Sequence, residues 1–289
     1  MTPAVDSKQT QQLYNSWRDL PWDKDFAIYI LQVLLASLAF WAFMYFYGCY
    51  HHPIPKYYKS KMSVQDQFIW RFRVINCYHG AAATLLSLYW HLINYTTECS
   101  RQITTFELIM LANTCCHLLM DGLFMYVNGF LDTGNLIHHF FGISGYFACA
   151  YHQHNFTQMA MHLLPAEFSN VSMHMREILK RMGMRYTKTY YLNDYAYYIE
   201  YIICRALWIP AVFYFFATCA TTSPAHMIIY PLHVLMSWYY VSNIPPLMIS
   251  RYKEMKKIEK AGMKLEWIKP LDSEELKKQG IVSTERFHT

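Results

Sequence analysis

The sequence predicts an all-α membrane protein, a polytopic transmembrane helix bundle with about seven membrane spans. Of its 289 residues, 54% are hydrophobic and only 16% are charged, which is too few charges to coat a soluble surface of this size. Apolar runs long enough to cross a hydrocarbon core of roughly 30 Å recur along the chain. Short polar stretches that hold most of the charge separate these runs.

The seven apolar segments follow a polar start and precede a charged tail. We expect the spans at about 26–50, 72–94, 106–126, 136–151, 156–174, 195–217 and 225–249. The fourth and fifth are shorter and more polar than the others, so neighbouring helices should shield them from lipid. Pro245 and Pro246 break the seventh near its end.

The chain is therefore expected to divide into four parts. These are a polar N-terminal segment (1–25), a first transmembrane helix with a basic loop (26–64), a six-helix membrane domain (65–250) and a charged C-terminal tail (251–289). The first 25 residues lack the basic region of a signal peptide and the acid-free composition of a transit peptide. No cleaved targeting signal is expected.

Loop charges predict an orientation in the membrane. The 51–73 loop holds five Lys or Arg against one Asp, and the 175–193 segment holds five against one Glu. With seven spans, every basic segment falls on one face, as the positive-inside rule requires. The N-terminus is then outside or lumenal and the C-terminus is cytosolic or in the matrix. We expect the endomembrane system, with the mitochondrial inner membrane as the alternative.

Two further features are open to more than one interpretation. The tail from Arg251 is either a short amphipathic helix on the membrane surface or a solvated stop-transfer tail, and we favour the solvated tail. The eight cysteines show no CxxC spacing, so neither a disulfide framework nor a zinc site is expected. A Cys99–Cys219 bridge is the one pairing considered.

Polar residues recur inside the apolar spans, although an acidic or basic side chain at the centre of a membrane helix costs about 2.5–3.5 kcal/mol. The alternating direction of the spans places these residues at one depth, toward the inner face. They are His79, His117, Asp121, His138, His139, Glu167, Asn170, Glu200 and Arg205. The sequence thus predicts a polar pocket that opens toward the inner leaflet.

Helical spacing supports this convergence, because residues at i, i+3 or i+4 lie on one face of a helix. Two such stripes are present, Asn113–His117–Asp121 and Glu167–Asn170–His174. Structural roles compete with functional ones. His79 alone fits a hydrogen-bonded packing residue, His117 with Asp121 fits a satisfied pair equally well, and Arg205 is expected as a counter-ion to Glu200 or Glu167.

A set of motifs in residues 65–250 resembles the TLC-domain membrane proteins. The motifs are Arg73 followed by His79 at a helix entry, Asp121 near the end of a later helix, the His138–His139 pair and the run AEFSNVSMHMREILKRMGMRYTKTYYLND (166–194). The chain is most similar to the small TLC domain-containing protein 4-like members and more distantly to the ceramide synthases. The resemblance implies a TLC-type bundle that handles or regulates membrane lipids.

The resemblance also implies acyl transfer from acyl-CoA to a lipid amine or hydroxyl, with His138, His139 and Asp121 as catalytic residues. An imidazole can serve as general base and a neighbouring carboxylate can orient it. His79, His117, Glu167, Asn170 and Arg205 would contact the lipid substrate. Ceramide synthases carry further Asp residues, whereas no Asp occurs between 133 and 193 here, which argues against ceramide synthesis itself.

Two other functions remain open. A TLC-like fold can serve as a non-catalytic accessory subunit of a larger membrane complex, for example in the mitochondrial inner membrane, that retains a lipid-binding pocket. Facing histidines can also bind iron or haem, but the H-x-x-H-H pattern fails because residue 135 is Asn. We expect membrane lipids, including a bound phospholipid, and other membrane subunits as partners. No cofactor, metal or nucleic acid is expected.

Overall fold

The computed structural model describes residues 24–98, 103–152, 155–219 and 222–281, and within these ranges helix is the only regular secondary structure. The all-α prediction is confirmed. The first helix, α1, spans Lys24–Phe43 and continues through a π-helical turn at Met44–Gly48 and a last turn at Cys49–His51. It is followed by α2 (Lys56–Lys59), α3 (Val64–Ile93), α4 (Thr105–Val127), α5 (Thr133–His152) and α6 (Phe156–Arg181). Helix α7 spans Lys188–Ile202 and continues through a π-helical turn at Ile203–Trp208 and a helix at Ile209–Thr218, and α8 (Pro224–Ser242), α9 (Ile244–Lys260) and α10 (Ser273–Lys278) complete the set. Cys99 and most of the polar N-terminal segment lie outside the described residues.

Three described helices are long and apolar enough to cross a membrane. They are α1 with its continuation (Ala27–His51), α4 (Thr105–Val127) and α7 with its continuation (Lys188–Thr218). Helices also form at the other predicted spans, but α3, α5, α6 and α8 carry more polar residues. Of these, α6 runs to Arg181, well beyond the predicted end at His174.

The closest helix pair of the bundle is formed by α3 and α6. Gly80 of α3 faces Asn170 and Val171 of α6 at this contact, and a Cβ at residue 80 would meet them at ordinary van der Waals distance. Further along the pair, the Ser87 hydroxyl donates to the Ala160 carbonyl at 3.2 Å. A large buried core then joins these two helices to α4, α5, α7 and α8. This pairing holds the polar faces of α3 and α6 against each other.

The first helix shares a core with the bundle. Trp41 and Tyr45 of α1 pack with Phe72 of α3 and Phe124 of α4, all of them buried. The Phe72 and Phe124 rings stack with centroids 5.6 Å apart. Packing therefore continues from α1 into the helices that the sequence groups as a six-helix domain.

The described part of the tail is folded onto the bundle. Ile258 of α9, Leu276 of α10 and Ile281 are buried against Tyr191 of α7. Arg251, where the sequence places the start of a tail, is itself 1% exposed. The segment 251–281 is therefore attached to the bundle at these buried residues, because apolar side chains of α9 and α10 pack on α7, while most other side chains of the segment are exposed as a solvated tail requires.

A buried ionic network fastens this tail. Asp194 of α7 is fully buried and accepts hydrogen bonds from Arg176 of α6 and from Arg251 Nε of α9, the second at 3.0 Å. Arg251 also pairs with Glu254, to which Arg185 lies 3.4 Å away. Charges buried in this way must be paired, because removing one partner leaves the other uncompensated.

We expect Asp194→Asn to destabilise the protein by about 3–5 kcal/mol, because Arg176 and Arg251 would remain buried with less negative charge beside them. The thermal unfolding midpoint of the detergent-solubilised protein measures this. Glu259→Gln is the control, since it removes only an exposed pair with Lys256. Equal midpoints for the two variants would contradict the role of the network.

A second ion pair joins the start of α3 to the end of α6. Asp66 accepts hydrogen bonds from the Ser63 hydroxyl at 2.7 Å and from Arg181. Partial burial alone would raise the pKa of Asp66, but these hydrogen bonds outweigh it and hold the pKa below its ordinary value. The ionised carboxylate therefore stabilises the folded state above the unfolded pKa of about 3.9, and this stability is lost as pH falls through the lower folded pKa.

We expect Asp66→Asn to lower the unfolding midpoint slightly at pH 7, because it weakens the contact with Arg181. The difference from wild type should vanish when pH is lowered through the folded pKa of Asp66, where the wild-type carboxyl is itself neutral. Thermal melts of both proteins between pH 7 and pH 3 measure this. A difference that persists unchanged at low pH would rule out the carboxylate as its source.

Candidate functional site

A cavity of about 460 Å³ lies inside the bundle and brings the predicted site residues together. Its walls include eight of the nine residues predicted to share one depth, namely His79, His117, Asp121, His138, His139, Glu167, Asn170 and Arg205, whereas Glu200 does not line it. They come from five helices, α3 to α7. The structure thus shows the convergence that the sequence predicts, while the role of each residue stays a prediction.

The most defined contact in the cavity joins an imidazole to a carboxylate. His139 Nε2 of α5 lies 3.2 Å from Asp121 Oδ2 of α4, and both side chains are buried. A carboxylate accepts hydrogen bonds, so we assign the proton to Nε2 and the lone pair to Nδ1. Within the described chain, His139 Nδ1 is buried and has no hydrogen-bond partner. The pair therefore has the arrangement of a general base oriented by a carboxylate.

Tyr45 of α1 connects this pair to its neighbours. Its fully buried hydroxyl lies 2.8 Å from Asp121 Oδ1, 2.6 Å from Asn76 Oδ1 and 2.9 Å from His117 Nε2. The hydroxyl can accept from His117 Nε2–H while donating to one of the two oxygens. His117 and Asp121 are thus linked through Tyr45, and a direct His117–Asp121 pair, one of the two sequence interpretations, does not occur.

A second imidazole–carboxylate contact lies beside the first. His79 Nδ1 is 3.5 Å from Glu167 Oε2, and the Asn170 amide donates to the same carboxylate oxygen at 3.0 Å. The His79 and His117 rings stack with centroids 3.5 Å apart and planes 3° apart. The network runs without a break from Glu167 to His139.

Arg205 has different partners from those expected. Its guanidinium donates to the Ala166 carbonyl at 2.6 Å and approaches Asn170 Oδ1 at 3.4 Å. Glu200 instead accepts a hydrogen bond from Ser172. The interpretation of Arg205 as a counter-ion to Glu200 or Glu167 is wrong, since no described ion pair joins it to either. Its Nε is buried and has no hydrogen-bond partner among the described residues.

The two adjacent histidines of α5 point to different parts of the cavity, since consecutive residues on a helix diverge by about 100°. His139 faces Asp121, whereas the His138 ring lies 6.1 Å from His233 of α8. His233 in turn lies 5.0 Å from the His162 ring, which hydrogen-bonds the Tyr230 hydroxyl. The cavity therefore has a second, carboxylate-free group of imidazoles.

Sequence reasoning missed the residues that α1 and α8 contribute. On α8, His226, Tyr230 and His233 are spaced i, i+4 and i+7 and line the cavity, so a stripe on one helix face was an available signal. Tyr45 carried no such signal, because it is one of 25 tyrosines. In contrast, Asn113 of the predicted stripe does not line the cavity and accepts a hydrogen bond from Trp41 at 3.0 Å.

Two π-helical turns carry residues of this site. Tyr45 lies in the turn at Met44–Gly48 and Arg205 in the turn at Ile203–Trp208. An inserted residue re-aims the side chains that follow, and π-helical turns occur frequently at functional sites. The helices thus depart from regular geometry where Arg205 lines the cavity and where Tyr45 contacts the cavity residues Asp121 and His117 from behind.

The geometry favours acid–base chemistry over metal chemistry. Among the described residues, no three His, Cys, Asp or Glu side chains are placed to hold a metal ion. The iron or haem hypothesis therefore gains no support from this arrangement. The cavity is lined by paired imidazoles and carboxylates and by the Arg205 guanidinium, and several imidazole nitrogens beside it are buried without a described partner.

Comparisons with known proteins identified no relative of this chain. No model of a protein family matches the chain, and no curated protein is significantly similar to it. The site must therefore be interpreted from its own geometry.

We expect Tyr45→Phe to lower stability by about 1–3 kcal/mol, because it removes the hydroxyl that Asp121 and Asn76 share and leaves buried polar atoms unsatisfied. The midpoint of thermal unfolding in detergent measures this. Tyr47→Phe is the matched control, since Tyr47 lies in the same π-helical turn but is 55% exposed. Equal effects of both substitutions would show that the Tyr45 hydroxyl does not hold the network together.

Proposed function

We propose that this protein is a TLC-type integral membrane enzyme that transfers an acyl group from acyl-CoA to an amine or hydroxyl of a membrane lipid. The observation that carries the proposal is the 3.2 Å contact between His139 and Asp121 at the wall of an internal cavity. The motifs that resemble the TLC family also support it. The same residues appear in both arguments.

We place seven crossings in the membrane, α1 and α3 to α8, with the N-terminus outside. The first helix supports this arrangement, since Leu31, Leu35 and Phe40 are more than half exposed on its surface, as a lipid-facing helix requires. The polar helices α5 and α6 cross as interior members of the bundle. The cavity then opens toward the basic inner leaflet, in the endomembrane system or, alternatively, the mitochondrial inner membrane.

The proposed reaction uses His139 as general base. Its Nδ1, which is buried beside Gly122 in the structure and must become accessible when substrate binds, accepts the proton of the lipid amine or hydroxyl while the nitrogen or oxygen attacks the thioester carbonyl. The new C–N or C–O bond forms, the C–S bond breaks, and the imidazolium returns the proton to the CoA thiolate. Asp121 stabilises the imidazolium, and positioned acid–base groups of this kind contribute about 10²–10⁴-fold to rate.

The other cavity residues would position the substrate. Arg205 has an unpartnered Nε that can donate to the polar head or to the developing oxyanion. His79, Glu167 and Asn170 form the second imidazole–carboxylate group and would accept hydrogen bonds from the lipid head. His138 lines the cavity beside His233, away from the His139–Asp121 pair, and would contact the acyl chain or its carbonyl.

We expect His139→Ala and Asp121→Asn each to lower acyl transfer by at least about 10²-fold. The assay incubates the purified, liposome-reconstituted protein with radiolabelled acyl-CoA and a membrane lipid extract, and quantifies labelled lipid. His51→Ala is the control, because His51 is exposed and lies outside the cavity. Thermal midpoints of all variants confirm that each protein is folded.

Two results would contradict the proposal. If the wild-type protein produces no more labelled lipid than the His139→Ala variant, the proposed acyltransferase activity is contradicted. If Asp121→Asn leaves acyl transfer unchanged, the assignment of His139 as a general base oriented by Asp121 is contradicted. If the inactive wild type co-purifies with other membrane subunits, the accessory-subunit function takes its place.

A further inference from the structure

A separate groove of about 700 Å³ lies on the surface and shares no lining residue with the internal cavity. Three segments that are distant in sequence form it. They are α2 with the turn that follows it, the loop between α6 and α7, and residues 265–270 between α9 and α10. Two of these are the basic segments that the sequence places on the inner face.

Hydrogen bonds fix one wall of the groove, because they hold the segment 265–270 against the start of α7. The backbone N–H of Lys188 donates to the Glu266 carbonyl at 2.8 Å, and the Thr189 hydroxyl donates to the Trp267 carbonyl. Leu271 N–H reaches the Tyr186 carbonyl at 3.4 Å. The wall that carries Trp267 is therefore positioned by α7.

The groove carries positive charge that nothing in the described chain neutralises. Lys61, Lys188 and Lys269 line it with a single carboxylate, Glu266. Glu266 is 4.0 Å from Lys269, and both side chains are mostly exposed, so this pair is weak. Lys61 and Lys188 have no described carboxylate partner.

Aromatic rings hold these two ammonium groups in place. Lys61 Nζ lies 3.8 Å from the centroid of the Tyr57 ring, and Lys188 Nζ lies 5.5 Å from the Trp267 ring. Such cation–π contacts position a cation and leave its other N–H groups free for an anion. Two lysine ammonium groups, each positioned by an aromatic ring, therefore line the same groove.

Large apolar groups border the lysines on the outer surface. Trp267 is 59% exposed and Ile268 is 66% exposed, and Tyr57 of the facing wall is 64% exposed. Trp and Tyr rings are enriched where a protein meets lipid headgroups, and Lys side chains lie beside them there. A soluble anion gains nothing from these exposed apolar groups, whereas a lipid covers them.

We propose that this groove binds the phosphate headgroup of an anionic phospholipid, with Lys61 and Lys188 contacting the phosphate and Trp267 and Ile268 entering the headgroup layer. The site would anchor residues 265–270 to the leaflet on the basic side of the protein. It does not depend on the reaction proposed for the internal cavity.

The test uses the full-length protein reconstituted in phosphatidylcholine nanodiscs with increasing brominated phosphatidylserine. Bromine quenches nearby indoles, and the quenching lost in Trp267→Phe reports on Trp267 alone. We expect half-maximal quenching at a low fraction of phosphatidylserine. Lys61→Ala/Lys188→Ala should raise that fraction on the order of tenfold or more, and added salt should raise it as well.

The matched control is Lys257→Ala/Lys278→Ala, which removes two exposed lysines that do not line the groove and should leave the titration unchanged. Lys61→Arg/Lys188→Arg keeps both charges and should retain binding, which separates loss of charge from misfolding. Equal titrations for wild type and Lys61→Ala/Lys188→Ala would overturn the proposal. So would equal quenching by brominated phosphatidylcholine, or displacement by millimolar inorganic phosphate.

Discussion

Two carboxylates, Asp121 and Glu167, are buried inside an apolar bundle, and the arrangement of the surrounding helices depends on satisfying them. An unpaired charge in such a place is prohibitively unfavourable, so each must meet hydrogen-bond donors from other helices. Asp121 on α4 meets Tyr45 from α1 and His139 from α5. Glu167 on α6 meets His79 from α3. Five helices are thereby held in one relative arrangement.

The same requirement explains why the polar side chains of the spans are concentrated at one site. Hydrogen bonds join Asp121 through Tyr45 to Asn76 and His117, and the stacked rings of His117 and His79 connect this group to Glu167. The network leaves some imidazole nitrogens without partners, among them Nδ1 of His139. A polar network that is satisfied only in part on its cavity side is what a binding or catalytic site requires, because a ligand can complete it.

The buried charges at the end of the bundle have a different character. Asp194, Arg176, Arg251 and Glu254 satisfy one another and lie outside the cavity wall. They join α6, α7 and α9 and so fix the tail against α7. That attachment also positions residues 265–270, where Lys188 and Trp267 meet. A structural ion network thus supports the surface groove, while the internal network supports the cavity.

From the sequence alone, the all-α class, the positions of the helices and the set of polar residues on α3 to α7 could be predicted. Periodicity and the burial cost of charge carry that information, since both are local properties of a helix. Only the tertiary structure decided the partners. Tyr45 joins the internal network from a π-helical turn, and His138 and His139 contact different groups of side chains. Arg205 donates to a backbone carbonyl, and Arg251 is buried although its segment is expected in solvent. Each depends on how helices distant in sequence rotate against one another, and the pattern within one helix does not specify that rotation.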